Sequence, residues 1–164
     1  MKPIKLRADG AAFVDVHIAP LDGRQMETEP FLLDTGATST SIPKSFLVER
    51  LGYTEDYIQT HRILLPKESQ PKMANGERAD VYKIPITRIN IGGHEIQHDY
   101  VISSDSVKLS FLLGLDLLSY FKFTFDFDAV SEYTPYGSVL FEFRKARKQD
   151  FSKVGGAFAH ELTT

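Results

Sequence analysis

Residues 31–42 read Phe-Leu-Leu-Asp-Thr-Gly-Ala-Thr-Ser-Thr-Ser-Ile, and the string occurs once in 164 residues. Apolar residues run straight into Asp34-Thr35-Gly36. That pattern reads as a short buried strand ending on a tight turn that carries a carboxylate. Asp-Thr-Gly alone is a weak signal, because Asx turns favour the same composition. Thr38 and Ser39 read equally well as turn hydroxyls or as part of a site. The surroundings decide what the turn is for.

Outward from this string, most segments alternate with period 2, as half-buried strands do. In Phe13–Ile18, Val14, Val16 and Ile18 share one face, while Asp15 and His17 take the other. Ser41 with Pro43 reads as a helix start, Phe46, Leu47 and Leu51 as its apolar stripe, and Gly52 as its end. Residues 53–62 are polar and receive no element. A strand is predicted over 63–65. Met73-Ala74-Asn75-Gly76-Glu77 reads as a hairpin tip, since Asn-Gly suits positive φ angles. Strands follow over 79–86 and 89–91, and Gly92-Gly93 turns the chain. The stretch 95–103 alternates, with Ile96, His98, Tyr100 and Ile102 on one face. Leu112-Leu113-Gly114 is an apolar run closed by glycine. A short helix is predicted over 115–121, then a one-faced strand carrying Phe121, Phe123, Phe125 and Phe127. Pro135-Tyr136-Gly137 turns, and Val139, Phe141 and Phe143 return. Many short strands with no long helix, repeat or linker point to a closed β-barrel or a sandwich.

Composition bounds the function. Hydrophobic residues at 42% suffice for a core in what is most simply one domain. A net charge of −3 gives no global basic excess for nucleic acid or an anionic membrane. The chain has no Cys, which excludes disulfides, thiol catalysis and Cys-ligated zinc. The first residues, Met1-Lys2-Pro3-Ile4-Lys5-Leu6-Arg7, lack the apolar core of a signal peptide. No window reaches the roughly 18 apolar residues of a spanning helix. The expectation is a cytoplasmic protein.

The order of these features resembles the retropepsin-like aspartic proteases, the retroviral type with a single lobe. The resemblance rests on Leu32-Leu33-Asp34-Thr35-Gly36-Ala37-Thr38-Ser39, on the Asn75-Gly76 hairpin where such enzymes carry a flap, and on Leu112-Leu113-Gly114 followed by Leu-Asp-Leu-Leu. It spans roughly residues 13–143. It implies an all-β fold: a closed barrel of the acid-protease type with one or two short helices, one lobe per chain. It implies catalysis by Asp34 on an active-site turn of Thr35, Gly36 and Ala37. A flap over the substrate would comprise Met73, Ala74, Asn75 and Gly76. Leu113 and Gly114 would form a second, structural glycine motif. Such enzymes need two facing carboxylates, and this chain supplies one. The implied enzyme is therefore a homodimer cutting peptide bonds in extended apolar segments, without metal or organic cofactor. Thr35 of each chain would bond across the dimer. Ala37 matches the retroviral pattern, and its methyl group cannot hydrogen-bond the carboxylate. The competing reading is a catalytically silent dimeric peptide-binding scaffold on the same fold. An intact Asp-Thr-Gly favours the enzyme, since a silent relative could lose the Asp freely.

A rival motif is His94-Glu95-Ile96-Gln97-His98, which matches the H-E-x-x-H zinc-protease pattern. That chemistry needs a helix to bring residues four apart to one metal. Here Gly92-Gly93 precedes the first His and β-type alternation follows. On a strand the two His would stand roughly 13 Å apart, so zinc catalysis is not expected. Asp116 reads as a helix cap or the partner of a basic residue. The protease domain is expected over 1–145. The tail over 146–164 is expected to be partly disordered; the basic run Arg144-Lys145-Ala146-Arg147-Lys148 before and within it reads as a solvated helix face or fraying end, or else as a contact for an acidic partner.

Overall fold

The computed structural model describes residues 4–5, 10–70, 75–128, 130–132 and 136–144. In chain order these form β1 (Ile4–Lys5), β2 (Phe13–Ile18), β3 (Glu27–Leu33), α1 (Lys44–Glu49), α2 (Glu55–His61), β4 (Ile63–Leu64), β5 (Val81–Pro85), β6 (Arg88–Ile91), β7 (His94–Gln97), β8 (Tyr100–Ser104), β9 (Leu112–Leu113), α3 (Leu115–Leu118), β10 (Phe121–Asp126) and β11 (Ser138–Phe143). A 3-10 turn lies at Lys67–Ser69. The tail from residue 145 onward lies outside the described residues, as do Met73 and Ala74 of the expected flap.

Three sheets wrap one core, ordered β7-β6-β2-β3-β9, β4-β5-β8 and β1-β11-β10. The fold is mostly β and curled into a half-barrel. Each strand order has two ends among the described residues, so no continuous ring is traced. β2 pairs antiparallel with β3 on one side and β6 on the other. Its alternation works as read: Val14, Val16 and Ile18 are essentially inaccessible, and Ile89 and Ile91 of β6 join them. Each such side chain contributes about 1.5–3 kcal/mol by leaving water. The short β9 runs parallel to β3, with Leu32 opposite Leu112 and Leu33 opposite Leu113. This single pairing sets the Asp-Thr-Gly turn beside the second glycine motif. Ser41 bridges both Ile102 of β8 and Leu112 of β9, joining two sheets just behind that turn.

Four sequence expectations are corrected here. First, there are three short α-helices among the described residues, not one or two. The added one is α2, in the stretch left unassigned. Thr54 caps it by accepting from Tyr57 N–H at 3.1 Å, Glu55 and Asp56 complement its first turn, and Ile58 is its buried anchor. That Thr-Glu-Asp start was legible as a helix signal. Second, Ser41 does not cap α1. Pro43 holds the N-cap position, and the Ser41 hydroxyl donates to Ser110 O instead. Third, the stretch 95–103 is two strands, not one. The break at His98-Asp99 resets the alternation, so Val101 and Ser103 face inward while Tyr100 is exposed. Fourth, the phenylalanine face of β10 is covered only at its start. Phe121 is buried, but Phe125 is 40% and Phe127 67% exposed, because the β10–β11 ribbon runs beyond the core. The two exposed rings stack on each other with centroids 6.1 Å apart.

Candidate active site

The turn after β3 forms for local reasons. Leu33 is the last strand residue, Asp34 N–H still donates to Leu113 O at 3.1 Å, and the chain then reverses. Asp34 closes the reversal twice. Its carbonyl accepts from Ala37 N–H at 3.2 Å, and its Oδ1 accepts from Gly36 N–H at 2.9 Å. The second bond orients the carboxyl group. A Cβ at position 36 would lie 3.2 Å from Oδ1, so glycine lets the backbone amide approach the carboxylate this closely. Thr35 and Gly36 are exposed at the tip, and Asp34 and Ala37 are half-buried.

The turn is held from behind by α3. Leu115 N–H donates to Ala37 O at 2.9 Å, and Asp116 N–H to Thr38 O at 3.2 Å. Gly114 sits where the two segments cross. A Cβ there would stand 2.5 Å from the Ser39 carbonyl carbon and 2.9 Å from Thr40 N. The crossing leaves no room for a side chain at this position.

Asp116 does not cap α3: Gly114 holds the N-cap position and Asp116 lies in the first turn. Its Oδ1 accepts from Leu117 N–H at 2.8 Å and from the Thr40 hydroxyl at 2.7 Å. Thr40 N–H straddles both carboxylate oxygens at 3.0 and 3.1 Å. The same Thr40 hydroxyl accepts from Gly114 N–H at 3.1 Å. Thr40 and Asp116, both well covered by protein, therefore clamp the outgoing strand of the turn to α3. Thr38 and Ser39 stand out in the sequence as candidate hydroxyls, and Thr40 does not. No local signal marks it, since its partner lies 76 residues away. The Thr38 hydroxyl is buried and has no hydrogen-bond partner among the described residues.

The flap reading falls on the loop between β4 and β5. Those strands pair antiparallel, with Ile63 opposite Lys83 and Leu64 opposite Tyr82. Asn75 and Gly76 lie in this loop. Gly76 alone has positive φ, at +84°, while Asn75 does not. The turn is thus not the paired left-handed type expected from Asn-Gly. Asn75 Oδ1 instead accepts from Glu77 N–H at 3.0 Å, an Asx turn. The loop base is tied by Arg78, which donates to Glu68 O and Gln70 O.

Beside this base lies an ion cluster that the sequence did not announce. Asp105 accepts from Lys44 Nζ and from Arg62, each at 2.6 Å, and from the Tyr82 hydroxyl at 3.2 Å. Partial burial pushes the Asp105 carboxyl up. The Lys44 and Arg62 bonds outweigh burial and hold it below its ordinary range. Burial, with Asp105 beside it, pushes the Tyr82 hydroxyl up to about 12.

The H-E-x-x-H residues are not on a helix. His94 to Gln97 is strand β7. His94 stacks on Phe143, centroids 4.4 Å apart. His98 lies beyond the strand end and points its Nε2 at Asp116 Oδ2, 3.3 Å away. The two rings are engaged by different elements. No group of three or more His, Cys, Asp or Glu among the described residues could hold a metal ion. No helix among them is long and apolar enough to cross a membrane.

A profile of the family described as "gag-polyprotein putative aspartyl protease" matches residues 20–120, a stretch that contains Asp34, the β4–β5 loop and Gly114. The crystal structure of a retropepsin-like aspartic protease from Rickettsia conorii is similar in fold, with a TM-score of 0.56 at 21% identity. That similarity covers 85% of this chain and 89% of the other. No curated protein matches the chain. The chain therefore belongs to the gag-polyprotein aspartyl protease family, and it has the retropepsin-like fold.

Proposed function

We propose that this protein is a homodimeric aspartic endopeptidase, with residues 1–145 as its protease lobe and one Asp34 contributed by each chain. The observation that carries this reading is the turn itself. A half-buried carboxyl group is oriented by Gly36 N–H and braced from behind by α3, and an exposed Thr35 stands beside it. One such turn is half of a two-carboxylate site.

Two carboxylates about 3 Å apart cannot both ionise, so they share one proton. One acts as base on a water between them. The other donates a hydrogen bond to the carbonyl of the scissile peptide bond. The water attacks the carbonyl carbon, a tetrahedral diol forms, and proton return to nitrogen releases the amine. Thr35 of each chain, exposed at the turn, would bond to its counterpart across the two-fold axis. The β4–β5 loop, with its tip near Gly76, closes over a peptide bound as an extended strand. The reaction needs no metal or organic cofactor.

The test is subunit mixing. Wild-type chains should cleave an apolar peptide library, and Asp34→Asn chains should not. Equal amounts of the two, re-associated at random, should leave about one quarter of the dimers active, because both halves must be intact. Independent sites would retain about one half of the activity. Retention near one half, with subunit exchange demonstrated, would refute the shared site.

A further inference from the structure

We propose that His98 is a positioning residue for Asp34, acting through Asp116 and Thr40. The inference rests on the peptidase reading for its kinetic consequence, but not for its geometry.

Asp116 Oδ1 is saturated, accepting from Thr40 N–H, the Thr40 hydroxyl and Leu117 N–H. Oδ2 receives only its share of the forked Thr40 N–H, at 3.1 Å. A carboxylate offers about four lone-pair sites, so Oδ2 retains acceptor capacity. His98 Nε2 faces it at 3.3 Å. At that separation the ring is not aligned for a hydrogen bond. Nε2 is buried and has no other hydrogen-bond partner among the described residues. A buried ring nitrogen without a partner is costly, and Oδ2 beside it has acceptor capacity to spare. A small movement that closes this contact satisfies the nitrogen.

The closed contact carries a proton on Nε2, donated to Oδ2. Its effect reaches the turn in two steps. It fixes the Asp116 carboxylate, whose other bonds clamp Thr40 to α3. Thr40 then holds Gly114 N–H, and α3 holds Ala37 O. Without the His98 donor Asp116 keeps its bonds to Thr40 and Leu117, but Oδ2 is held by its share of the forked Thr40 N–H and by no second donor. The clamp loosens, and Asp34 is less well placed to meet its counterpart. His98 touches neither substrate nor reacting atoms, so it is not itself catalytic.

The experiment compares His98→Leu, which removes the donor at similar volume, with His98→Gln, which keeps one. The readouts are peptidase kinetics and amide hydrogen exchange. In His98→Leu, kcat should fall about tenfold with KM little changed, and Thr40 and Gly114 amides should exchange about tenfold faster. The Val16 amide in β2 should be unaffected. His98→Gln should restore most of both losses. Wild-type kcat and exchange in His98→Leu would overturn the proposal. So would equal losses in both variants with Thr40 exchange unchanged, which would mark His98 as core packing. If wild type shows no cleavage that Asp34→Asn removes, the peptidase reading fails, and the exchange data alone decide the brace. Should His98→Leu not fold, imidazole nitrogen NMR of the wild type decides instead. A proton on His98 Nε2 supports the brace, and a bare Nε2 refutes it.

Discussion

Replacing Gly114 with alanine adds one methyl group at the crossing of the Asp34-Thr35-Gly36 turn and α3. Gly114 has φ of −91°, so the cost is steric, not conformational. The new Cβ would stand 2.5 Å from the Ser39 carbonyl carbon and 2.7 Å from its oxygen, where ordinary contact begins at 3.4 Å. Backbone cannot rotate away as a side chain can, so the two segments must part by ~0.9 Å. The Gly114 N–H to Thr40 hydroxyl bond, now 3.1 Å, would open to about 4 Å and be lost. Overpacking costs about 1–3 kcal/mol and the lost bond about 1 kcal/mol, so about 2–4 kcal/mol is expected. In a protein of this size that lowers Tm by roughly 5–15 °C. Urea titration of wild type and variant measures the free energy directly, at unchanged m value. Gly93→Ala is the control: Gly93 has φ of +83° with nothing within 4 Å of a Cβ. It should cost only the left-handed strain, about 1–2 kcal/mol. If Gly114→Ala proves no more costly than Gly93→Ala, the argument from close approach is wrong. A displacement near 1 Å at the turn should also reduce peptidase activity by about a hundredfold.

Gly76→Val tests the flap. Nothing lies within 4 Å of a Cβ there, but φ is +84°, so the protein should fold while the loop tip is strained. Peptidase efficiency should fall, and unchanged kinetics in folded protein would count against a gating loop. Asp105 tests electrostatics at the base of that loop. Its carboxyl is held below its ordinary range, so its stabilisation is present above the unfolded value of about 3.9 and is lost as pH falls through the lower folded value. Asp105→Asn should therefore lower Tm at pH 7 and flatten the fall in Tm toward pH 3. Parallel acid profiles for the two proteins would contradict the pairing with Lys44 and Arg62.

Much of the strand layout was legible because its cause is local. Val14, Val16 and Ile18 alternate with polar residues, and a period of 2 has one structural reading when one face is buried. Phe125 and Phe127 alternate just as cleanly, yet they are exposed. Alternation records which residues share a face, not whether anything packs against it. His98 was assigned to the face of Ile96, Tyr100 and Ile102, but the strand breaks there. Two residues outside the ladder suffice to reset the register, and nothing in their identity announces it.

The sequence by itself determined that Asp34 follows an apolar strand end on a glycine turn, that the chain carries one such turn, and that its pattern is that of an aspartic protease lobe. These follow from neighbours along the chain: apolar residues that must be buried, and Asp and Gly that favour the reversal. Only the tertiary structure decided what holds that turn. Thr40 meets Asp116, Gly114 meets Ser39, and His98 leaves its zinc-like motif to face the same carboxylate. Each of these contacts joins residues far apart in the chain. They are set by the parallel pairing of Leu32 and Leu33 with Leu112 and Leu113. Such a pairing leaves no periodic trace in either segment, because a two-residue strand is too short to show one.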